Sequence, residues 1–204
     1  MKYKSIFKLC LLTTFLSVAT ISCDDWTEME IHDSQVNGFK EQNPQEYAVY
    51  TQNLRAYKAT KHAVVYARLD NAPEVSTSEK DFLRALPDSI DIVTMRNADR
   101  LSEYDREDMK LVREDYGTKV LYYIDYTAKD KLNTSITSAV EAVCTGTFDG
   151  IALGSEGSAV DVSALKPLLD ALGQTPCLLV IEGTPSLLPE AQRSLFNYFV
   201  LDIS

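Results

Sequence analysis

Two acidic side chains in the stretch FDGIALGSEG, residues 148–157, have the spacing most suggestive of chemistry. The stretch reads as a β-strand with Asp149 near its start and Glu156 just past its end. Because side chains alternate along a strand, its two faces differ. One face holds Ile151 and Leu153, and the other holds Ala152, Gly154 and Glu156. If helices cover the apolar face, Glu156 lies at the carboxyl end of the strand, where α/β proteins bind ligands. Both acids could also be ordinary strand-end residues.

The same stretch resembles the fourth-strand signature of glycoside hydrolase family 18, Asp-x-x-Asp-x-Asp-x-Glu, found in chitinases and endo-β-N-acetylglucosaminidases. Asp149 matches its first acidic position and Glu156 its last, but the two middle positions hold Ala152 and Gly154. In that family the substrate's acetamido group is the nucleophile. The final Glu protonates the leaving oxygen, and the Asp two residues before it orients the acetamido.

The resemblance therefore implies that Glu156 is a vestigial general acid and that Asp149 belongs to the same catalytic motif. Gly154 has no side chain that could orient or charge-balance the acetamido. Loss of such an electrostatic partner typically lowers the rate ~10²–10³-fold. We therefore expect a member of the family that is degenerate in its catalytic motif.

Six apolar runs recur along the chain at near-constant spacing. Their starts are separated by 28, 29, 29, 29 and 21 residues. Regular runs with a helix-like segment in each gap predict repeated βαβ units and a parallel sheet. The runs are His62–Arg68, Ile90–Arg96, Lys119–Asp125, Phe148–Ser155, Cys177–Glu182 and Tyr198–Ile203.

Helix signals lie before and between these runs. Residues 45–60 carry apolar side chains at helical spacing, which predicts a helix ahead of the first strand. Ser78, Ser102 and either Asp161 or Ser163 are placed to cap helices in three of the gaps.

These repeats allow a doubly wound sheet or a (β/α)₈ barrel, and the family resemblance favours the barrel. It places residues 148–155 as the fourth strand, where the family carries its acidic motif. The chain ends at Ser204, just after the sixth run, whereas a closed barrel has eight strands. We therefore predict an incomplete α/β, TIM-barrel-like domain over residues 45–204 with about six βα units, lacking the last two strands. An open six-stranded sheet is the alternative.

The carboxyl ends of the strands would then form one face rich in aromatic and planar polar groups. Sugars bind such groups, since their C–H faces stack on rings and their hydroxyls need hydrogen-bond partners. Arg96 and Asn97 end the second strand. Each residue on this face also has a structural interpretation, as a core tyrosine, an Arg68–Asp125 ion pair or a solvated acid. The predicted ligand-binding residues are Tyr66, Arg68, Tyr123, Asp125, Tyr126, Glu182 and Asp202.

Composition narrows the class of protein. The 204 residues carry a net charge of −10 and are 45% hydrophobic, which is globular composition. The acidic balance argues against nucleic acid as a partner. Two His and four Cys offer no metal-ligand spacing, and we expect neither a metal nor a cofactor. Cys144 and Cys177 lie in apolar surroundings and are expected to be buried thiols, not a disulfide.

The first 22 residues resemble a lipoprotein signal peptide. Lysines precede an apolar run from Leu9 to Ile21 that is too short to span a bilayer as a stable helix, and Cys23 follows. Asp24 and Asp25 resemble the surface-export signal of Bacteroides-type lipoproteins. We therefore predict lipidation at Cys23, a tether over residues 23–44, and a lipid-anchored location at the outer membrane and the cell surface. An ordinary secreted protein is the alternative.

Three functional hypotheses follow. The favoured one is a cell-surface lipoprotein that binds N-acetylglucosamine-containing glycans through a catalytically degenerate barrel, beside components of an outer-membrane glycan importer. The second is an active endo-glycosidase that uses Glu156 as general acid, with Asp125 or Glu182 replacing the missing Asp. The third is a truncated, non-functional remnant.

Overall fold

The computed structural model describes residues 38–71, 78–172 and 175–201. The chain divides into two compact units, residues 1–44 and 45–204. The described part of the first unit contains one short helix, α1 (Phe39–Gln42). The predicted signal peptide, Cys23, most of the predicted tether, and Asp202 lie outside the described residues. Among the described helices, none combines the length and the apolar character that crossing a bilayer requires.

The described part of the second unit is built on six parallel strands in sequential order. A doubly wound sheet instead reverses its strand order at a switch point. Sequential order is that of a (β/α) barrel, so the predicted incomplete TIM-barrel-like fold is confirmed. The strands are β1 (Tyr66–Leu69), β2 (Ile92–Met95), β3 (Lys119–Asp125), β4 (Gly150–Gly154), β5 (Leu178–Glu182) and β6 (Tyr198–Val200).

One hydrogen bond shows how strongly this sheet curls. Tyr66 on β1 donates its hydroxyl proton to Oε1 of Glu182 on β5 at 2.6 Å. In a flat sheet, four strand spacings would separate β1 from β5 by about 19 Å. The six strands therefore form a half-barrel with an interior, not an open flat sheet.

The two faces of the sheet have separate cores. The inner face buries a small apolar cluster, Ile92, Leu121, Ala152 and Val180. The outer face, covered by helices, buries a much larger one that includes Ile151 and Leu153. The predicted alternation along β4 is confirmed. Ala152 lies on the inner face, and Gly154 and Glu156, which follow it, line a cavity at the end of the interior.

Four longer helices belong to the second unit. They are α2 (Pro44–Lys58), α3 (Glu103–Glu114), α4 (Leu132–Cys144) and α5 (Val162–Leu172). Ser102 caps α3 as predicted, since its Oγ accepts a hydrogen bond from the backbone N of Asp105 at 3.0 Å. Asp161 caps α5, because its carboxylate accepts from the backbone N of Ser163 at 2.9 Å.

Two predicted helical segments are 3₁₀ turns instead. After Ser78 the chain forms Glu79–Asp81 and Leu83–Ala85, and between β5 and β6 it forms Pro185–Leu187 and Glu190–Leu195. Phe82 separates the first pair with extended backbone angles, and prolines interrupt the second segment. Short prolyl segments cannot complete the hydrogen-bond ladder of an α-helix.

The cysteine prediction is partly wrong. Cys144 and Cys177 are free thiols, as expected. However, Cys144 is exposed because it is the last residue of α4, and Cys177 is half-buried.

Candidate functional site

A cavity of about 410 Å³ opens where the strands end at their carboxyl side. The cavity is thus at the end of the half-barrel where TIM-barrel proteins place their sites. Leu187 and Val200 contribute apolar surface to its wall. Its charged and polar lining consists of Arg68, Arg96, Tyr123, Glu156, Glu182 and Thr184.

A hydrogen-bond network crosses the interior beneath this cavity. The Glu182 carboxylate, whose side chain is 7% exposed, accepts from Tyr66 at 2.6 Å and faces the Arg68 guanidinium at 3.4 Å. The Tyr66 hydroxyl also contacts Thr94. Burial and the neighbouring Glu182 raise the pKa of Tyr66 well above its usual value, so the phenol stays protonated and donates. Glu182 therefore has partners for its charge.

Tyr123 occupies the space where a side chain at position 154 would begin. A Cβ atom built on Gly154 would lie 2.0 Å from the Tyr123 hydroxyl oxygen and 2.5 Å from its Cζ. Burial raises the pKa of Tyr123 to about 12, although the Arg96 charge opposes the shift. A neutral hydroxyl thus fills the space beside Gly154.

Arg96 lies over the ring of Tyr123. Its guanidinium carbon is 4.1 Å from the ring centroid, which is a cation–π contact. Within the part of the chain that the structure describes, no carboxylate pairs with Arg96 at salt-bridge distance. The sequence places Arg96 at the end of the second strand, on the face formed by the carboxyl ends of the strands, although not in the final set of predicted ligand-binding residues. The alternation along β2 supports its position, because Ile92 and Arg96 share the inner face.

Glu156 lies in a tight turn directly after β4. The backbone N of Ser158 donates to the carbonyl of Ser155 at 2.7 Å, and φ is +43° at Glu156 and +78° at Gly157. The Glu156 side chain is exposed and lines the cavity. A residue other than glycine is disfavoured by ~1–2 kcal/mol in this left-handed conformation. Residues held in this way concentrate at functional sites.

Asp149 lies at the opposite end of the half-barrel from Glu156. Its carboxylate accepts a hydrogen bond from the backbone N of Val120 at 3.0 Å. It also pairs with Arg113 at 2.9 Å and with Lys119 at 3.6 Å. This placement corrects the expectation that Asp149 and Glu156 share one site, because the two residues flank β4 on either side. Asp149 instead ties the amino end of β4 to α3 and β3.

Two predicted ligand-binding residues, Tyr126 and Asp125, are not among the residues that line the cavity. Tyr126 is buried in the outer core, where its hydroxyl accepts from the backbone N of Asp161 at 2.8 Å. The Asp125 carboxylate accepts from the backbone N and hydroxyl of Thr127 at 2.8 and 2.6 Å. Although burial opposes the shift, these hydrogen bonds lower the pKa of Asp125. Arg68 is paired with Glu182 rather than with Asp125.

The structure thus brings Arg68, Tyr123, Glu156 and Glu182 together around one cavity, with Tyr66 beneath them. Within residues 38–71, 78–172 and 175–201, no cluster of three or more His, Cys, Asp or Glu side chains could hold a metal ion.

A family model for glycoside hydrolase family 18, BT1044-like, matches residues 27–142 of this chain. The chain belongs to this family. Among solved structures, a Glu-to-Gln variant of BT1044 in its selenomethionine form is similar in fold, with a TM-score of 0.61 and 17% sequence identity. The similarity covers 80% of this chain and 64% of that one, so this chain spans less than two thirds of the BT1044 structure. No curated protein matches the sequence.

Proposed function

We propose that this chain is a cell-surface lipoprotein that binds N-acetylglucosamine-containing glycans in the cavity at the carboxyl ends of its strands, without efficient hydrolysis. The observation that carries the proposal is the position of the Tyr123 hydroxyl, 2.0 Å from where a Cβ of residue 154 would be. Family membership supports the glycan class, and the cavity supports binding. A volume of about 410 Å³ is within the range of about 300–1,000 Å³ that is usual for small-ligand sites.

The absence of a side chain at position 154 affects catalysis more than binding. In the family reaction the acetamido becomes positively charged as it attacks, and a carboxylate two residues before the general acid stabilises that charge. A neutral Tyr123 hydroxyl can hydrogen-bond an acetamido but cannot neutralise the developing charge. The site can therefore retain affinity for the ground state while losing stabilisation of the transition state.

A binding measurement tests this proposal directly. Calorimetric titration of the full chain with chitobiose and with a complex N-glycan is expected to show binding. Tyr123→Phe, which removes only the hydroxyl, is expected to weaken binding about five- to ten-fold. Tyr104→Phe is the matched control, because Tyr104 is an exposed tyrosine on α3. If neither glycan binds to a chain that unfolds cooperatively, the proposal is wrong; a chain without cooperative unfolding would favour a remnant.

A second candidate is an active endo-glycosidase. It is favoured by one observation, that Glu156 and the Glu182 carboxylate line the same cavity. Asp125 is no longer a candidate for the replacement acid, because its carboxylate is turned to Thr127. Turnover of an N-glycan that disappears in Glu156→Gln would establish this alternative. Absence of turnover in the full chain would leave binding as the function.

Membrane attachment through Cys23 and contact with outer-membrane importer components are further parts of the proposal. They depend on the signal-like sequence of residues 1–25. Metabolic labelling with a fatty-acid analogue is expected to mark the chain and to fail with Cys23→Ala. A chain that is labelled equally in both forms would contradict lipidation at this residue.

A further inference from the structure

We propose that Arg96 makes this site selective for glycans that carry an acidic group, a carboxylate or a sulfate, beside the N-acetylglucosamine unit. The inference rests on the proposed function and adds a ligand class to it. It starts from the charges that line the cavity, which are two guanidinium groups and two carboxylates: Arg68, Arg96, Glu156 and Glu182.

Two of these four charges already compensate each other. The Glu182 carboxylate accepts from Tyr66 at 2.6 Å and faces Arg68 at 3.4 Å. A ligand anion that bound to Arg68 would have to compete with this internal carboxylate. Arg68 is therefore a poor primary site for an acid.

Arg96 differs from Arg68 because it contacts an aromatic ring in the cavity and not a carboxylate. The guanidinium carbon lies 4.1 Å from the centroid of the Tyr123 ring. A cation–π contact uses the charge of the guanidinium and not its N–H donors, so these donors stay available to a ligand. The planar fork of a guanidinium matches the paired oxygens of a carboxylate or a sulfate.

A hydrogen bond between charged partners is stronger than one to a neutral sugar hydroxyl. The difference corresponds to about ten-fold in affinity or more. Two carboxylates act against an anion at Arg96: Asp125, whose pKa the Arg96 charge helps to lower, and Glu156, which lines the same cavity. The net charge of −10 repels anions at long range, but salt screens exposed charges beyond about 8–10 Å. Neutralising Glu156 should therefore strengthen the binding of an acidic glycan relative to that of its neutral partner.

Matched pairs of glycans test the inference by calorimetric titration of the full chain. One pair is a sialylated biantennary N-glycan and its desialylated form. The other is chitobiose 6-O-sulfate and unmodified chitobiose, so that the carboxylate and sulfate arms are distinguished. We expect at least one acidic member to bind about ten-fold tighter than its neutral partner.

Substitutions of Arg96 test whether its guanidinium causes the preference for the acidic glycan. Arg96→Met should abolish the preference, so that the acidic and neutral members of each pair bind this variant equally, and Arg96→Lys should retain part of the preference. Glu156→Gln should raise the affinity for the acidic member several-fold. The control is Arg100→Met, since Arg100 is an exposed arginine whose neighbour is Asp99.

The outcomes separate the two proposals. If the wild-type chain binds both members of each pair equally, the selectivity inference is wrong and the glycan-binding proposal stands. If no member binds, both are wrong. If inorganic sulfate binds as tightly as the sulfated sugar, Arg96 is an anion site without glycan selectivity, which also overturns the inference. If the preference for the acidic member survives in Arg96→Met, another residue binds the acidic group, and the inference is wrong in that case too.

Discussion

The contact between Gly154 and Tyr123 makes a sharp prediction about the alanine variant Gly154→Ala. The added methyl would lie 2.0 Å from the Tyr123 hydroxyl oxygen, 2.5 Å from Cζ and 2.6 Å from Cε2. Ordinary contacts between heavy atoms are about 3.5 Å, so the ring has to move by about 1.5 Å. Gly154 has no positive φ, so the effect of the methyl is steric and not conformational.

The loss of unfolding free energy expected for Gly154→Ala follows from the surroundings of the Tyr123 ring. Tyr123 is 8% exposed, and overpacking of a buried site costs about 1–3 kcal/mol. Moving the ring also disturbs its contact with Arg96, which contributes about 0.5–1 kcal/mol more. We expect Gly154→Ala to lower the free energy of unfolding by about 1.5–4 kcal/mol. Small proteins have a total stability of about 5–15 kcal/mol, so the variant should remain folded and measurable.

A double-mutant cycle assigns the loss to this contact. Tyr123→Leu removes all three colliding atoms, so Gly154→Ala should be far less harmful in that background. Chemical denaturation followed by circular dichroism should give a coupling energy of at least about 1.5 kcal/mol. Gly146→Ala serves as the control, because a Cβ there meets nothing within 4 Å although its φ is +75°. Its own cost should add to that of Tyr123→Leu within about 0.5 kcal/mol.

Two results would refute the reasoning. One is a Gly154→Ala variant whose unfolding free energy is within about 0.5 kcal/mol of the wild type, which would mean that the ring moves freely. The other is additivity of Gly154→Ala and Tyr123→Leu, which would place the strain elsewhere.

Three further predictions concern stability. Glu156→Gly should raise the unfolding free energy by about 1 kcal/mol, because glycine tolerates a φ of +43°; a lower denaturation midpoint would contradict this. Asp108→Ala should cost about 2 kcal/mol, since this carboxylate is 1% exposed and accepts hydrogen bonds from the Arg84 backbone and guanidinium; a loss below about 0.5 kcal/mol would refute it. The hydrogen bond that His62 donates to Asp91 raises the pKa of His62. This bond stabilises the fold fully below about pH 6.5, and the stabilisation is lost as the pH rises through the raised pKa of the folded state. His62→Gln should therefore flatten the dependence of the denaturation midpoint on pH. Equal slopes of midpoint against pH for the wild type and the variant would contradict this linkage.

Local patterns in the sequence predicted the fold and part of the site because they report which face a side chain occupies. Arg68, Tyr123 and Glu182 were predicted from their positions at the carboxyl ends of strands, and in the structure they line the cavity at that end of the sheet. The prediction for Tyr126 did not apply the alternation of side chains along a strand. Tyr126 directly follows β3 and continues its alternation, so it lies with Tyr122 and Ile124 in the outer core.

The remaining differences between the sequence predictions and the structure arise from contacts between distant parts of the chain. The motif comparison grouped Asp149 with Glu156, but the five-residue strand β4 lies between them and is about 16 Å long. The Tyr123–Gly154 contact depends on the pairing register of β3 and β4, in which Tyr123 lies opposite Ala152 and Asp125 opposite Gly154. A sequence read segment by segment contains no signal for that register.

The Glu182 carboxylate connects the site to the curvature of the fold. Within the described residues, β1 and β6 are the two ends of the sheet, and the inner face buries only a small apolar cluster. The bond from Tyr66 to Glu182 joins β1 to β5 across the interior, so it resists flattening of the half-barrel. A buried carboxylate is tolerated only with partners, and Tyr66 and Arg68 supply them. Any substitution of Glu182 therefore changes the shape of the cavity together with its charge. Arg96 is not part of the network of Tyr66, Glu182 and Arg68, so its substitution leaves this connection between β1 and β5 in place.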